Sequence, residues 1–181
     1  GEGVARNDAE AVSWYRKAAE AGDGGAMALL GVAYANGEGT AKDDAQAISW
    51  YRKEAAAGSA YGMELLAFRL RTGDGVAKNL GEALGWYRKS AEAGNASSMA
   101  MLGAMIDEGE GTPADPRAAL EWYRKAADSG DTFGMRLLAS RMLEGKGVTK
   151  DAAGALALYR KAADTGDTRA MVALGEAYRY G

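Results

Sequence analysis

The chain contains no cysteine and no histidine among its 181 residues. Without thiols it has no disulfide framework, no thiolate metal site and no redox switch. Without imidazole it lacks the commonest general base and the commonest transition-metal ligand, so any catalysis would rest on carboxylates alone. Its Asp and Glu residues read as helix caps and scattered surface charges, and they do not assemble a nucleophile, base and orienter. The sequence therefore predicts a non-catalytic protein with no cofactor and no metal.

Proline is scarce, with 2 residues, and no Ser/Pro-rich tract marks a linker or a domain boundary. The net charge of −3 is spread evenly, leaving no basic block to neutralise phosphates, which argues against nucleic acid. The longest uncharged stretch, residues 24–37, is too short to cross about 30 Å of hydrocarbon and is broken by glycine, so no membrane insertion is expected. The chain opens at Gly1 with neither methionine nor signal sequence and reads as a mature or excised piece, its compartment open.

What the sequence does have is a period. Hydrophobic residues make up 48% and charged residues 26%, enough to bury a core. Gly-x-Gly begins at Gly1, Gly37, Gly73, Gly109 and Gly145, 36 residues apart without insertion, and Gly181 opens a sixth step. In the same frame stand Trp14-Tyr15, Trp50-Tyr51, Trp86-Tyr87, Trp122-Tyr123 and Leu158-Tyr159, each followed by Arg-Lys.

Each 36-residue unit carries the end signals of two helices. Asn7, Asp43, Asn79, Asp115 and Asp151 share a position where a side-chain oxygen can accept an orphan N–H, and Pro116 follows Asp115 at the first helical position. Gly22, Gly58, Gly94, Gly130 and Gly166 supply the left-handed terminator, which places one helix over about residues 44–57 of the second unit. Asp23, Ser59, Asn95, Asp131 and Asp167 cap the next helix. Neither amphipathic helix buries its stripe alone, so neighbouring units must share a continuous core. The expected fold is all-α, a solenoid of helix-turn-helix repeats, with residues 1–181 forming one array of five units cut within a repeat at both ends.

The run Ala170-x-x-x-Leu174?-free of insertions is not needed to see the pattern: Gly-x-x-Tyr in 175–178, Gly-x-Gly-Val in 145–148 and Ala-x-x-Trp-Tyr-x-Lys-Ala-Ala-x-x-Gly in 119–130 recur along the chain.

 This pattern resembles the Sel-one-like repeat family, and the resemblance covers essentially the whole chain. It implies a right-handed α-solenoid related to the tetratricopeptide repeats, acting as a scaffold or as a peptide and protein receptor, with many such proteins bacterial and exported or periplasmic. The second and fourth units depart from the pattern with Ala67 and Leu70, and with Ala139 and Met142, and each places glycine at Gly62 or Gly134 where alanine is usual. Exchange of alanine and glycine in one unit reads as compensated helix packing. Leu158 stands where the other units have tryptophan.

The recurring motifs suit the scaffold better than a site. Gly-x-Gly is the turn between helices, since no Lys-Ser/Thr follows it to hold a phosphate. The Arg-Lys ladder lies in the C-terminal half of its helix, where cations favour the dipole, and reads as a solvated convex face. The tryptophan row reads as packing between repeats.

Function is expected where the repeats differ, in the second helix of each unit, which by analogy with tetratricopeptide arrays lines a concave groove. The candidate partner-binding residues there are Tyr61, Phe68, Arg69, Arg71, Asp107, Glu108, Phe133, Arg136, Arg141, Glu144, Arg179 and Tyr180. Aromatics and arginines are the usual anchors of protein interfaces. Tyr61 and Phe133 share a repeat position, as do Arg69 and Arg141, each pair 72 residues apart. At about 10 Å per unit the two arginines would stand roughly 20 Å apart, the length of about six extended residues. An acidic or C-terminal carboxylate-bearing segment would fit them. The competing reading is that the arginines pair with Glu64, Glu108 or Glu144 and the aromatics fill space left by Gly62 and Gly134. The expected function is a non-catalytic protein–protein interaction scaffold that takes a peptide or protein segment in its groove. The alternative is a structural or accessory subunit packed into a larger assembly through its convex face or array ends.

Overall fold

The computed structural model describes residues 5–180, apart from the side chain of Tyr180. Gly1 and Gly181, the outermost members of the Gly-x-Gly series, lie outside the described residues. Among the described residues there are ten α-helices of 13 residues each and no strand. In chain order they are α1 (Asp8–Glu20), α2 (Gly24–Asn36), α3 (Asp44–Ala56), α4 (Ala60–Thr72), α5 (Leu80–Glu92), α6 (Ala96–Glu108), α7 (Pro116–Asp128), α8 (Thr132–Glu144), α9 (Ala152–Asp164) and α10 (Thr168–Tyr180).

The caps fall where the sequence puts them. Asn7, Asp43, Asn79, Asp115 and Asp151 each accept a backbone N–H in the first turn of α1, α3, α5, α7 and α9. Asp23, Ser59, Asn95, Asp131 and Asp167 do the same for the even-numbered helices. Each Gly-x-Gly has two separate duties. Gly37 takes the left-handed conformation that ends α2, at φ 74°. Gly39, at φ 69°, lies against the start of α1, where an added Cβ would stand 2.2 Å from the Asp8 carbonyl oxygen.

The chain forms two compact units, Gly1–Ser90 and Ala91–Gly181. In the first, α1 packs on α2, α2 on α3 and α3 on α4; in the second, α6 to α10 pack in the same succession and α6 also touches α8. Fully buried Leu30, Tyr51, Leu66 and Leu70 centre the first unit, and Leu102, Met105, Tyr123 and Met135 the second. Burial of each such aliphatic side chain stabilises the fold by roughly 1.5–3 kcal/mol.

The tyrosine of the Trp-Tyr pair is the key of each junction. Tyr51 lies on Gly31, where a Cβ would meet its ring at 2.4 Å, and Tyr123 lies on Gly103, where the distance would be 2.7 Å. Gly62 has another purpose. A Cβ there would stand 2.7 Å from the side chain of Glu54, a buried residue at a position held elsewhere by Ala18, Ser90, Ala126 and Ala162. At Gly134 the neighbour is the Ala126 methyl, 2.5 Å from an added Cβ, which is close helix packing of the compensated kind. The tryptophans carry lysine ammonium groups from one turn onward: Lys17, Lys53, Lys89 and Lys125 lie 3.8–4.2 Å from the ring centroids of Trp14, Trp50, Trp86 and Trp122. The Arg-Lys ladder is solvent-exposed throughout.

Candidate protein-binding site

On α4, Ser59 caps the first turn and Gly73 closes the last, fixing a helix whose inner face buries Leu66, Ala67 and Leu70. Its outer face carries Tyr61, 52% exposed, and Phe68, 45% exposed. Seven residues of helix separate them by about 10.5 Å on one face. Half-buried Leu65 fills the interval, so the three form one apolar stripe. Arg69 follows the stripe. Its guanidinium lies 6.0 Å from the ring centroid of Tyr51 and pairs with Asp74 in the turn. Arg71 is half-buried on the same helix.

The corresponding helix of the second unit, α8, is arranged differently. Phe133 is half-buried, with the Arg136 guanidinium 5.3 Å from its ring centroid. Arg136 Nε also donates to Asp167 Oδ2 at 3.0 Å, joining α8 to the cap of α10. The position of Phe68 is taken by Ser140, whose hydroxyl donates to Glu144 at 2.7 Å. Arg141 donates to Asp107 Oδ2 at 2.5 Å and to Glu144 Oε2 at 2.9 Å.

Asp107, expected to face an open groove, is instead buried, with a side-chain exposure of 0%. Arg141, Lys146 at 3.0 Å and the Tyr123 hydroxyl, which donates at 3.3 Å, surround its carboxylate. Burial alone would raise the Asp107 carboxyl, but hydrogen bonds from Arg141 and Lys146 outweigh it and hold the group below the usual carboxylate range. Burial, then the Asp107 charge, pushes the Tyr123 phenol well up, so it stays a neutral donor.

Glu54 presents the opposite case. It is buried between α3 and α4, and Ser59 donates to its Oε1 at 2.7 Å while Oε2 has no hydrogen-bond partner. Burial raises its carboxyl, and the Ser59 hydroxyl only partly opposes this.

Of the other expected site residues, Glu108 is exposed at the end of α6 and Arg179 is exposed in the last turn of α10. Tyr180 contributes no described side chain. Arg69 belongs to the first unit and Arg141 to the second, and each engages carboxylates of its own unit. The Arg141–Glu144 pair is one that the competing reading named, while Asp74, Asp107 and Asp167 are partners that neither reading named. Sequence reasoning also passed over Leu65 and the buried Glu54. The signal for Glu54 was present, since a lone carboxylate at an Ala/Ser position faces the departure at Gly62.

Among the described residues no group of acidic side chains could hold a metal ion, and no helix is long and apolar enough to cross a membrane. The Sel1 repeat model matches residues 1–23, 25–59, 60–95, 96–131, 132–167 and 168–181. The chain belongs to the Sel1 repeat family.

Sel1 repeat proteins are protein-interaction scaffolds without catalytic machinery, and their solved structures share this helical-repeat solenoid fold. The chain is similar to c5321, a protective antigen present in uropathogenic Escherichia coli strains and displaying an SLR fold. That match has 38% identity and a TM-score of 0.89, over 97% of this chain and 38% of the other. A Sel1 repeat protein from Oxalobacter formigenes matches at 37% identity and a TM-score of 0.89, over 95% of this chain and 68% of that one. The Helicobacter pylori cysteine-rich protein B matches at 26% identity and a TM-score of 0.60, over 74% of this chain and 96% of that one. No curated protein matches the chain. This chain thus spans well under half the length of the E. coli antigen.

Proposed function

We propose that this Sel1 repeat chain is a non-catalytic interaction module that holds a peptide or protein segment along the outer face of α4. The observation that carries the reading is the stripe Tyr61–Leu65–Phe68, two large exposed aromatics on one helix face above a buried inner face. Aromatic rings supply much contact area at low entropic cost, and they are the usual anchors of interfaces. Arg69 adds a carboxylate contact at one end of the stripe. Its partner Asp74 is half exposed, and a pair of that kind is worth about 0–1 kcal/mol, so an incoming acidic side chain or C-terminus can exchange with it. Arg141 is not offered for this purpose, because releasing it would strand the buried Asp107. The segment best matched to α4 therefore has apolar side chains followed by one carboxylate.

A random peptide library displayed on phage and selected against the wild-type chain tests the reading. Selected peptides should lose binding to Tyr61→Ala/Phe68→Ala while the variant keeps its helical circular dichroism. Undiminished binding to that variant would remove α4 as the site.

A further inference from the structure

The first and last helices each leave a packing face open, and the two faces have the complementary parts of a junction already built inside the molecule. Within the units, α3 and α7 present Ala47, Tyr51 and Glu54, and Ala119, Tyr123 and Ala126, all buried. The same stripe on α1, Ala11, Tyr15 and Ala18, is only half-buried, and Trp14 beside it is 60% exposed whereas Trp50 is 7% exposed. Tyr15 is thus a tyrosine knob without its glycine.

The other half of the pair is on α10. Gly31 and Gly103 each receive a tyrosine ring from the following helix, but Gly175, at the same repeat position, has nothing within 4 Å. Around it Val172 is 61% and Tyr178 62% exposed, whereas their counterparts Ala28, Ala100, Leu70 and Ile106 are buried. Gly175 is an empty socket with apolar walls.

We infer that a second copy of this chain occupies these faces, head to tail, with Tyr15 of one copy seated on Gly175 of the next. The choice of a second copy rests on the fact that one chain carries both halves of the Gly31–Tyr51 and Gly103–Tyr123 type of contact. The two faces differ, so the contact is heterologous, and every added copy leaves one knob and one socket open. Association therefore continues beyond a dimer as concentration rises. The inference is independent of the α4 stripe, which plays no part in the junction.

Sedimentation equilibrium of the 181-residue chain tests it. The wild-type mean mass should climb above the 18.8 kDa of one chain as concentration increases. Tyr15→Ala removes the knob and Gly175→Leu fills the socket, and each alone should return the mass to one chain. An equimolar mixture of the two variants should give a 1:1 dimer and nothing larger, because the first keeps its socket and the second its knob. Gly175→Leu guards against a folding artefact, since a helical glycine with open space around it accepts a larger side chain without loss of helix. A wild-type mass fixed at one chain up to the solubility limit would overturn the inference and assign both faces to flanking repeats or an unrelated partner. Growth that survives Gly175→Leu, or a mixture that stays monomeric, would overturn it as well.

Discussion

The two units place a buried carboxylate in the same helical scaffold and treat it in opposite ways. Asp107 in the second unit is surrounded by Arg141, Lys146 and the Tyr123 hydroxyl, and its pKa is lowered. Glu54 in the first has a single hydrogen bond from Ser59, an unpartnered Oε2 and a raised pKa. The surfaces diverge in step. On α8 arginines are spent on Asp107, Glu144 and Asp167 and one covers Phe133, whereas on α4 the aromatics stay open to solvent. An identical repeat frame thus yields one unit whose second-helix charges hold the fold and one whose second-helix aromatics remain available to a partner.

The largest expected effect is at Asp107. Asp107→Ala should destabilise the chain by about 3 kcal/mol in urea unfolding, since it leaves Arg141 and Lys146 beside an empty, low-dielectric position. The Asp107 carboxyl is held below its ordinary 3.8, so its stabilising contribution is present above that pH and is lost as the pH falls through the lowered value. The variant should lack this acid-side loss.

Next comes binding at α4. Tyr61→Ala or Phe68→Ala should weaken a selected peptide about tenfold or more, some 1.4 kcal/mol, in a fluorescence titration. Ser140→Ala, at the position of Phe68 in α8, should leave that affinity unchanged.

Glu54→Gln should act with the opposite sign to Asp107, stabilising the fold by on the order of 1 kcal/mol near neutral pH. The folded state holds the Glu54 proton more tightly than a free carboxyl does. The group therefore costs nothing below 4.5, and stability declines as the pH rises through its raised value. Thermal melts across that range should show the decline in the wild type and a flatter profile in the variant.

The smallest effect belongs to Arg69 and its half-exposed partner. Asp74→Asn should change stability by no more than about 0.5 kcal/mol, in contrast to Asp107, although both carboxylates engage an arginine of the same repeat position.

The helices were legible in the sequence because their signals are local. Caps such as Asp43 and terminators such as Gly58 act within a few residues, and a 36-residue frame repeats each one. The candidate site was legible only in part. Tyr61 and Phe68 show as within-chain departures, but the fate of each arginine depends on residues as distant as 31 and 34 positions, Asp167 for Arg136 and Asp107 for Arg141. Trp14 and Trp50 share a position and differ in burial, because only Trp50 has a full neighbouring repeat on each side. Sequence identity at a repeat position thus reports the helix face but not what stands against it.

The most direct test of the account is an amide chemical-shift titration of the labelled chain with a selected peptide. The account predicts that Tyr61, Leu65 and Phe68 and their α4 neighbours move while α8 stays in place. Shifts centred on Phe133 and Arg141, with α4 unmoved, would contradict it.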